Sequence, residues 1–154
     1  MEKRKNKSDQ MVEMRLAAMS VDYFLLENHK NISKENNITI LKENFEVDIE
    51  LKVTTAVVIE QNITQIILNV KIFTKEKHIY LCEITTVFDY NIKGLDNFFN
   101  KKENKFDIPE PIMITLIATC YSTTRGLLYS KLAGTFLPSF ILPLIDPRQG
   151  LLNK

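Results

Sequence analysis

The sequence has 154 residues, of which 45% are hydrophobic and 25% charged, and its formal net charge at pH 7 is +1. These values are typical of one soluble globular domain, and they exclude a protein-wide basic field of the kind that attracts nucleic acid. No stretch reaches the roughly 18 to 20 uninterrupted apolar residues of a membrane-spanning helix. We therefore expect neither nucleic-acid binding nor membrane insertion.

Residues 1–19 are predicted to be an N-terminal extension, followed by one domain at residues 20–154. The extension has a basic run at residues 3–7, which is typical of a solvated, disordered tail. Residues 11–18 predict a short, weakly amphipathic helix. Charged residues interrupt the apolar stretch that a signal peptide would need. This pattern favours a cytoplasmic protein.

The two cysteines, Cys82 and Cys120, both lie in apolar segments. Free thiols in such positions behave as small hydrophobic groups, and two isolated cysteines are typical of a reduced compartment. Their placement also favours the cytoplasm.

Four strands are predicted after the extension. Residues 20–27 predict the first strand, with Val21, Tyr23 and Leu25 on one face although neighbouring apolar residues break the alternation. An Asn/Lys-rich loop at residues 28–37 follows. The next three strands are predicted at residues 45–57, 66–72 and 78–90. Short turns at residues 61–62 and 75–77 predict that these strands form an antiparallel meander.

A long helix is predicted between the Pro-Glu-Pro signal at residues 109–111 and Gly134, which suit a helix start and a helix end. Its first half is apolar on nearly every face, so one small sheet cannot cover it and a second subunit is expected. Gly126 costs about 1 kcal/mol relative to Ala inside a helix, which indicates close approach of another backbone. The predicted subunit contacts are Ile114, Ile117, Tyr121 and Leu128.

Two further segments are unusually apolar for loops. The connection at residues 93–108 carries three phenylalanines, and the stretch at residues 135–145 is apolar but contains two prolines. A short final helix is predicted at Asp146-Pro147. The excess apolar surface marks either oligomer contacts or a binding groove, and composition weighs the two evenly. The candidate groove residues are Phe98, Phe99, Phe106, Leu127, Phe136, Leu137, Phe140 and Leu142.

A search for catalytic or cofactor chemistry gives no strong candidate. His29 and His78 have no partner at metal-ligand spacing, and the chain has neither a nucleophile elbow nor a phosphate-binding glycine loop. Asp107 and Glu110 flank Pro109 and are more typical of helix-start carboxylates than of a catalytic pair. Arg125 predicts an interfacial ion pair. The sequence predicts no catalytic residue, no metal and no cofactor.

Two stretches resemble the SecB family of protein-export chaperones. The first is Tyr80-Leu81-Cys82-Glu83-Ile84, followed by Phe88 and by Ile92-Lys93-Gly94-Leu95. The second runs from Arg125 to Pro143 and includes Arg-Gly, Gly-Thr-Phe-Leu-Pro and Leu-Pro. Their order and spacing are similar to those of the family over most of the chain from about residue 20.

The resemblance implies an α+β fold in which a long helix packs on one face of a four-stranded antiparallel sheet, with a short C-terminal helix. It also implies a homo-tetramer, built as a dimer of dimers, that acts as an ATP-independent holdase. Such a protein binds unfolded preproteins along apolar grooves and transfers them to the SecA ATPase. The positions that resemble the ATPase contacts are Asp22, Leu81 and Glu83.

Two alternatives to a general export chaperone follow. The family's C-terminal tail has no counterpart after Lys154, which favours a dedicated chaperone or adaptor for a single partner, such as an antitoxin. A hot-dog-like thioesterase also wraps a sheet around a long helix, and in that case Asp107 or Glu110 would carry the hydrolysis.

Overall fold

The computed structural model describes residues 12–27, 46–75, 78–135, 137 and 140–150. Residues 149 and 150 are described by their backbone alone. The expectations for the basic run, for the loop at residues 28–37 and for Phe136 lie outside the described residues. In the described part the fold is α+β, as the sequence predicts. No helix in that part is long and apolar enough to cross a membrane.

The main sheet contains four antiparallel strands in the order β1-β4-β3-β2. Strands β2, β3 and β4 pair consecutively, as the short turns predict, and β1 then pairs with β4 on the far side. The meander therefore accounts for three strands, and the complete order is that of a Greek key. The strands are β1 (Met14–Leu26), β2 (Val47–Val58), β3 (Ile63–Thr74) and β4 (Tyr80–Ile92).

Strand β1 is longer than predicted and replaces the expected N-terminal helix. Residues 14–18 pair with the end of β4, with Met14 opposite Ile92, so the helix prediction for residues 11–18 is wrong. The register shifts between Leu16 and Ala18 and again between Val21 and Tyr23. Each extra residue in the strand moves the side chains that follow it to the opposite face of the sheet. Phe24 and Leu26 therefore share the helix-facing side with Val21, and the predicted Val21–Tyr23–Leu25 face is wrong.

One face of the sheet carries the core. Alternate side chains of β3 and β4 are fully buried against the helix, and those of β2 on the same face are half-buried. This outcome confirms the alternation predicted for β2 and β3, because a strand places every second side chain on one face. The most deeply buried apolar residues of the two central strands are Ile66, Leu68, Val70, Ile72, Leu81, Cys82, Ile84, Phe88 and Ile92.

Helix α1 (Glu110–Leu132) lies where it is predicted. Pro109 precedes it, and Gly134 beyond its end has a φ of +78°, a left-handed conformation that glycine adopts without strain. A buried hydrogen bond of 2.7 Å joins Thr86 of β4 to Thr124 of α1. Cys120 of α1 donates a longer bond of 3.6 Å to the Tyr90 hydroxyl of β4. These two buried polar contacts help to fix the helix on the sheet within a largely apolar contact.

The segment after the helix packs on the chain's own core. Leu137 and Leu142 are buried, and the Tyr121 hydroxyl donates a 2.8 Å hydrogen bond to the Pro143 carbonyl. A 3₁₀ turn, Pro147–Gly150, then takes the place of the predicted final helix. The segment thus forms part of the domain.

Candidate functional site

The connection between β4 and α1 is ordered by short elements. A 3₁₀ turn, Leu95–Phe98, leads into a hairpin of β5 (Phe99–Asn100) and β6 (Lys105–Phe106). Leu95 is buried, which anchors the turn in the core. The rings of Phe99 and Phe106 lie 5.0 Å apart between centroids, a separation typical of a stabilising aromatic pair. All three phenylalanines of this connection are half-buried.

A cavity of about 310 Å³ lies at the base of this hairpin. Its walls come from the end of β2, the start of β3, strand β6 and the first turns of α1. The described residues that line it are Thr55, Ala56, Val57, Thr64, Phe106, Ile108 and Met113. Most of these side chains are apolar, and none carries a charge. The volume is at the lower limit for small-ligand sites, so the cavity can hold one large side chain or a small molecule.

Of the predicted groove residues that the structure describes, only Phe106 lines this cavity. Phe98 ends the preceding 3₁₀ turn and Phe99 belongs to the hairpin. Leu127 lies half-buried in the second half of α1. Phe140 is half-buried and packs against the core. The assignment of Leu137 and Leu142 to a groove is corrected, because the core of the chain already buries both side chains.

Sequence patterns did not single out the other cavity residues. Thr64 and Met113 belong to regular elements whose burial pattern is that of an ordinary core. Ile108 precedes a proline, which shows only that it is extended. The cavity forms because four separate segments meet, so no local signal could have identified it.

A second, larger cleft of about 680 Å³ lies at the start of β1 and the end of β4, and its lining includes the charged residues Glu13, Arg15 and Lys93. Lys93 Nζ lies 3.1 Å from Glu13 Oε2 across it, and both side chains are exposed. Asn62 and Gly94, which form turns in left-handed conformations, lie at its rim. Exposed ion pairs of this kind contribute little to stability or recognition. The cleft, which charged side chains line, is therefore a weaker candidate site for apolar segments than the cavity at the hairpin, whose described lining carries no charge.

The three residues expected to contact an ATPase differ in exposure. Asp22 is exposed at a bulge of β1 and accepts a hydrogen bond from the Ser20 hydroxyl. Glu83 is half-buried and accepts hydrogen bonds from Asn69 at 2.5 Å and from the Tyr80 hydroxyl at 3.0 Å. Leu81 is fully buried, so its side chain offers no surface to a partner unless the sheet rearranges.

The faces of α1 also differ from expectation. Ile117, Tyr121 and Leu128 are buried within the subunit, and Ile114 is half-buried. This placement corrects their assignment to a subunit contact, because the sheet and the following segment already cover three of the four. The exposed face carries instead mostly small and hydroxyl-bearing residues, among them Thr115, Thr119, Ser122 and Gly126, and the larger Tyr129 is exposed at its C-terminal end.

Hydroxyl groups on this exposed face are largely satisfied by the helix itself. Thr115 donates to the Pro111 carbonyl and Thr119 to the Thr115 carbonyl, each at 2.8 Å. Because these hydrogen bonds run to the preceding turn of the helix, the hydroxyls point toward the backbone. The face is therefore smoother and less polar than its composition indicates.

Arg125 is half-buried, and its Nε is buried with no hydrogen-bond partner in the described part of the chain. It lies near Tyr121, whose pKa is raised by burial and partly lowered again by this guanidinium. No carboxylate within the described residues forms an ion pair with Arg125. The predicted interfacial ion pair therefore stays a prediction.

Asp107 and Glu110, the carboxylates of the thioesterase alternative, both lie on the surface. A hydrogen bond from Asn100 at 2.9 Å lowers the pKa of Asp107, and the nearby Lys105 adds to this effect. Glu110 lies in the first turn of α1, where a negative charge stabilises the helix dipole. The lowered pKa of Asp107 favours an ionised, solvated carboxylate at that position. Within the described residues no cluster of His, Cys, Asp or Glu is arranged to hold a metal ion.

The two edges of the sheet carry different surfaces. Edge strand β2 presents Asp48, Glu50 and Lys52 to solvent, and charges of this kind discourage pairing with another chain. Edge strand β1 instead leaves apolar side chains exposed by 39–48% of their area. These exposed residues are Leu16, Met19, Tyr23 and Leu25. An edge with this composition favours contact with another strand.

No family model matches the chain, and no curated protein matches it. Among solved structures, a protein of unknown function from Streptococcus agalactiae is 13% identical in sequence, with a TM-score of 0.43. The match covers 88% of this chain and 100% of that one. We derive no function from this likeness, and the resemblance to the SecB family stays a prediction.

Proposed function

We propose that this protein is a cytoplasmic, ATP-independent holdase that resembles SecB and binds apolar segments of unfolded proteins. The observation that carries this proposal is the uncharged cavity between the phenylalanine hairpin, the end of β2 and the start of α1. Clients bind because burial of their apolar side chains removes hydrocarbon surface from water.

Binding of this kind selects clients by how much apolar surface they expose rather than by their amino-acid sequence. A folded protein presents few contiguous apolar segments, whereas an unfolded chain presents many. An extended client segment can place one large side chain in the cavity and continue across the neighbouring hairpin. Release then requires a competing partner, and the exposed Asp22 is the strongest remaining candidate for contact with an ATPase such as SecA.

The proposed assembly is a homo-tetramer with two kinds of contact. Strand β1 provides one, because thirteen residues of an edge strand carry apolar side chains that the subunit leaves partly exposed. The small-residue face of α1 provides the other, because short side chains allow two helices to approach closely. Arg125, which lacks a carboxylate partner among the described residues, fits an ion pair formed across that contact.

A dedicated chaperone for a single partner is the second candidate, and one observation favours it. Leu137 and Leu142 are used by the core, so they add no open groove beyond the single-side-chain cavity. A small cavity selects among clients more narrowly than a long channel does. A pull-down from the host that recovers one protein in stoichiometric amount would favour this candidate over the general holdase.

The test is suppression of aggregation without ATP. A chemically unfolded model enzyme is diluted into buffer with excess chaperone, and light scattering is followed. Met113→Glu adds a charge at the cavity wall near the helix start, where a carboxylate does not disturb α1. Leu144→Glu is the matched control, because Leu144 is 82% exposed and lies outside the cavity.

We expect the unaltered protein and Leu144→Glu to suppress scattering, and Met113→Glu to need several-fold more protein for the same effect. The proposal is wrong if the unaltered protein suppresses nothing at excess tetramer. The cavity is not the client-binding site if Met113→Glu keeps its oligomeric state and still suppresses aggregation fully.

A further inference from the structure

The charged cleft at the start of β1 carries hydrogen-bond donors that the fold does not use. Arg15 of β1 lies directly opposite Asn91 of β4, and both residues line the cleft. Within the described part of the chain, neither side chain donates a hydrogen bond or takes part in an ion pair. A guanidinium has five N–H donors and a carboxamide has two, so a ligand in the cleft meets several free donors.

Strand geometry turns these groups toward one face of the sheet. Met14 packs against the core and Ile92 is buried in it. Because successive side chains of a strand point to opposite faces, Arg15 and Asn91 point away from α1, and all four members of these two pairs belong to adjacent registers of β1 and β4. The ion pair across the cleft continues the same ladder, since the Lys93 amide donates a 3.0 Å hydrogen bond to the carbonyl of its ion-pair partner.

A bulge in β1 opens the sheet surface beside these donors. Ala17 is the extra residue between Leu16 and Ala18 in the pairing with β4, and a bulge bends its strand. Ala17 also lines the cleft, where its methyl group fills little space. The resulting volume of about 680 Å³ is within the range of small-ligand sites.

The charges of the lining limit what the ligand can be. Lys93 Nζ lies 3.1 Å from Glu13 Oε2, so these two charges offset each other. Arg15 is the remaining cation of the described lining, and the fork of a guanidinium fits the two oxygens of one carboxylate. A doubly charged phosphate is disfavoured, because the Glu13 carboxylate of the same strand repels the second negative charge.

We propose that this cleft binds a singly charged carboxylate, with Arg15 as its bidentate partner and Asn91 as a further hydrogen-bond donor. A small organic acid and the carboxyl-terminal end of a peptide share this chemistry. The site is separate from the proposed client cavity, because the two have no lining residue in common.

The experiment is a titration of the isotope-labelled full-length protein, followed by NMR. The probe is N-acetylalanine, and N-acetylalaninamide is the control that lacks the charge. The buffer has low ionic strength, because the cleft is open to solvent and salt screens its charges. We expect the Asn91 side-chain amide signals and the Gly94 backbone amide signal to shift with N-acetylalanine alone.

Two further probes define the ligand class. Inorganic phosphate should bind several-fold more weakly than N-acetylalanine, and tighter binding of phosphate would overturn the assignment to a carboxylate. A short alanine peptide with a free carboxyl terminus distinguishes the two sources of the carboxylate. Tighter binding of this peptide than of N-acetylalanine supports a site for peptide ends, and equal binding supports a site for small acids.

Variants of Arg15 test its role. Arg15→Gln should weaken binding of N-acetylalanine about tenfold, the ratio that one lost charge-assisted hydrogen bond supplies, and Arg15→Lys should fall between the two because it keeps the charge but loses the fork. Lys52→Gln is the matched control, because it removes a positive charge from an exposed position of β2 outside the cleft. It should bind like the unaltered protein.

Equal shifts with N-acetylalanine and its amide, or full binding by Arg15→Gln, would overturn the site. Arg15 is exposed, so its replacement should leave the fold intact, which circular dichroism verifies. Suppression of aggregation should be the same for Arg15→Gln and the unaltered protein. Failure of the carboxylate site is therefore distinguishable from failure of the proposed holdase function.

Discussion

Thr86 and Thr124 form a buried polar pair that helps to set the position of α1 on the sheet. The Thr124 hydroxyl donates to the Cys120 carbonyl at 2.9 Å, so in its 2.7 Å contact with Thr86 it must accept. The Thr86 hydroxyl is therefore the donor of that bond. Both residues are fully buried, and water cannot replace either partner.

This polarity predicts unequal costs for two similar substitutions. Thr124→Val removes the acceptor and leaves the Thr86 donor buried and unpaired, which should lower the free energy of unfolding by about 1–3 kcal/mol. Thr86→Val leaves Thr124 bonded to its own helix and should cost less. The double variant has two apolar side chains of matched shape and should be more stable than the sum of the single costs predicts.

Urea unfolding followed by circular dichroism measures all four proteins of this cycle. Thr123→Val is the control, because Thr123 is on the same helix and also bonds to the preceding turn but has no partner on the sheet. A cost of Thr86→Val equal to or larger than that of Thr124→Val would contradict the assigned direction of the bond. Additive costs would show that the two hydroxyls do not interact.

At the scale of whole elements, the sequence predicts a strand or a helix correctly where the local pattern agrees with the pairing and packing of the fold. Strands β2 and β3 alternate cleanly, and α1 has a proline start and a glycine end. Strand β1 shows the opposite case. Residues 14–18 are mostly good helix formers, but the thirteen residues of β4 offer a pairing partner along their full length. The gain from pairing outweighs the small local preference, and two bulges hide the alternation.

Gly126 connects helix composition to assembly. A Cβ built at this position meets nothing within 4 Å in the subunit, so the close backbone approach that its presence indicates is not made within the described chain. An isolated subunit should therefore gain about 0.5–1 kcal/mol from Gly126→Ala, because alanine favours the helix.

If the exposed face of α1 packs against a second subunit, the same change has the opposite effect on assembly. We expect Gly126→Ala to raise the dissociation constant of the tetramer about tenfold, since an added methyl separates closely packed helices. Ser130→Ala is the matched control, because it also raises helix propensity but adds no bulk. Analytical ultracentrifugation over a dilution series measures the difference. If Gly126→Ala stabilises the helix but leaves the dissociation constant of the tetramer unchanged, the exposed face of α1 is not a subunit contact.

At the scale of the whole molecule, sequence analysis predicted an apolar groove near the loop phenylalanines but identified only one residue of the cavity. Phe106 was predictable because an aromatic residue among charged neighbours needs a packing site. Thr55, Thr64 and Met113 were not, because their role depends on how the end of one hairpin meets the start of the helix. The apolar segment after the helix was misassigned for the same reason, since only the assembled core shows that Leu137 and Leu142 complete it.

The exposed edge of β1 gives the last prediction, which concerns how subunits join. If β1 pairs with β1 of a second subunit, the half-exposed Met19 lies at or near that contact. Met19→Lys should weaken pairing, because it removes apolar surface and, in a two-fold contact, brings like charges together. Thr54→Lys adds the same charge to the exposed face of the opposite edge strand and should have no effect. Light scattering after gel filtration should show a smaller particle for Met19→Lys alone. A particle of unchanged mass would exclude β1 as the contact, and a monomeric unaltered protein would contradict the tetramer itself.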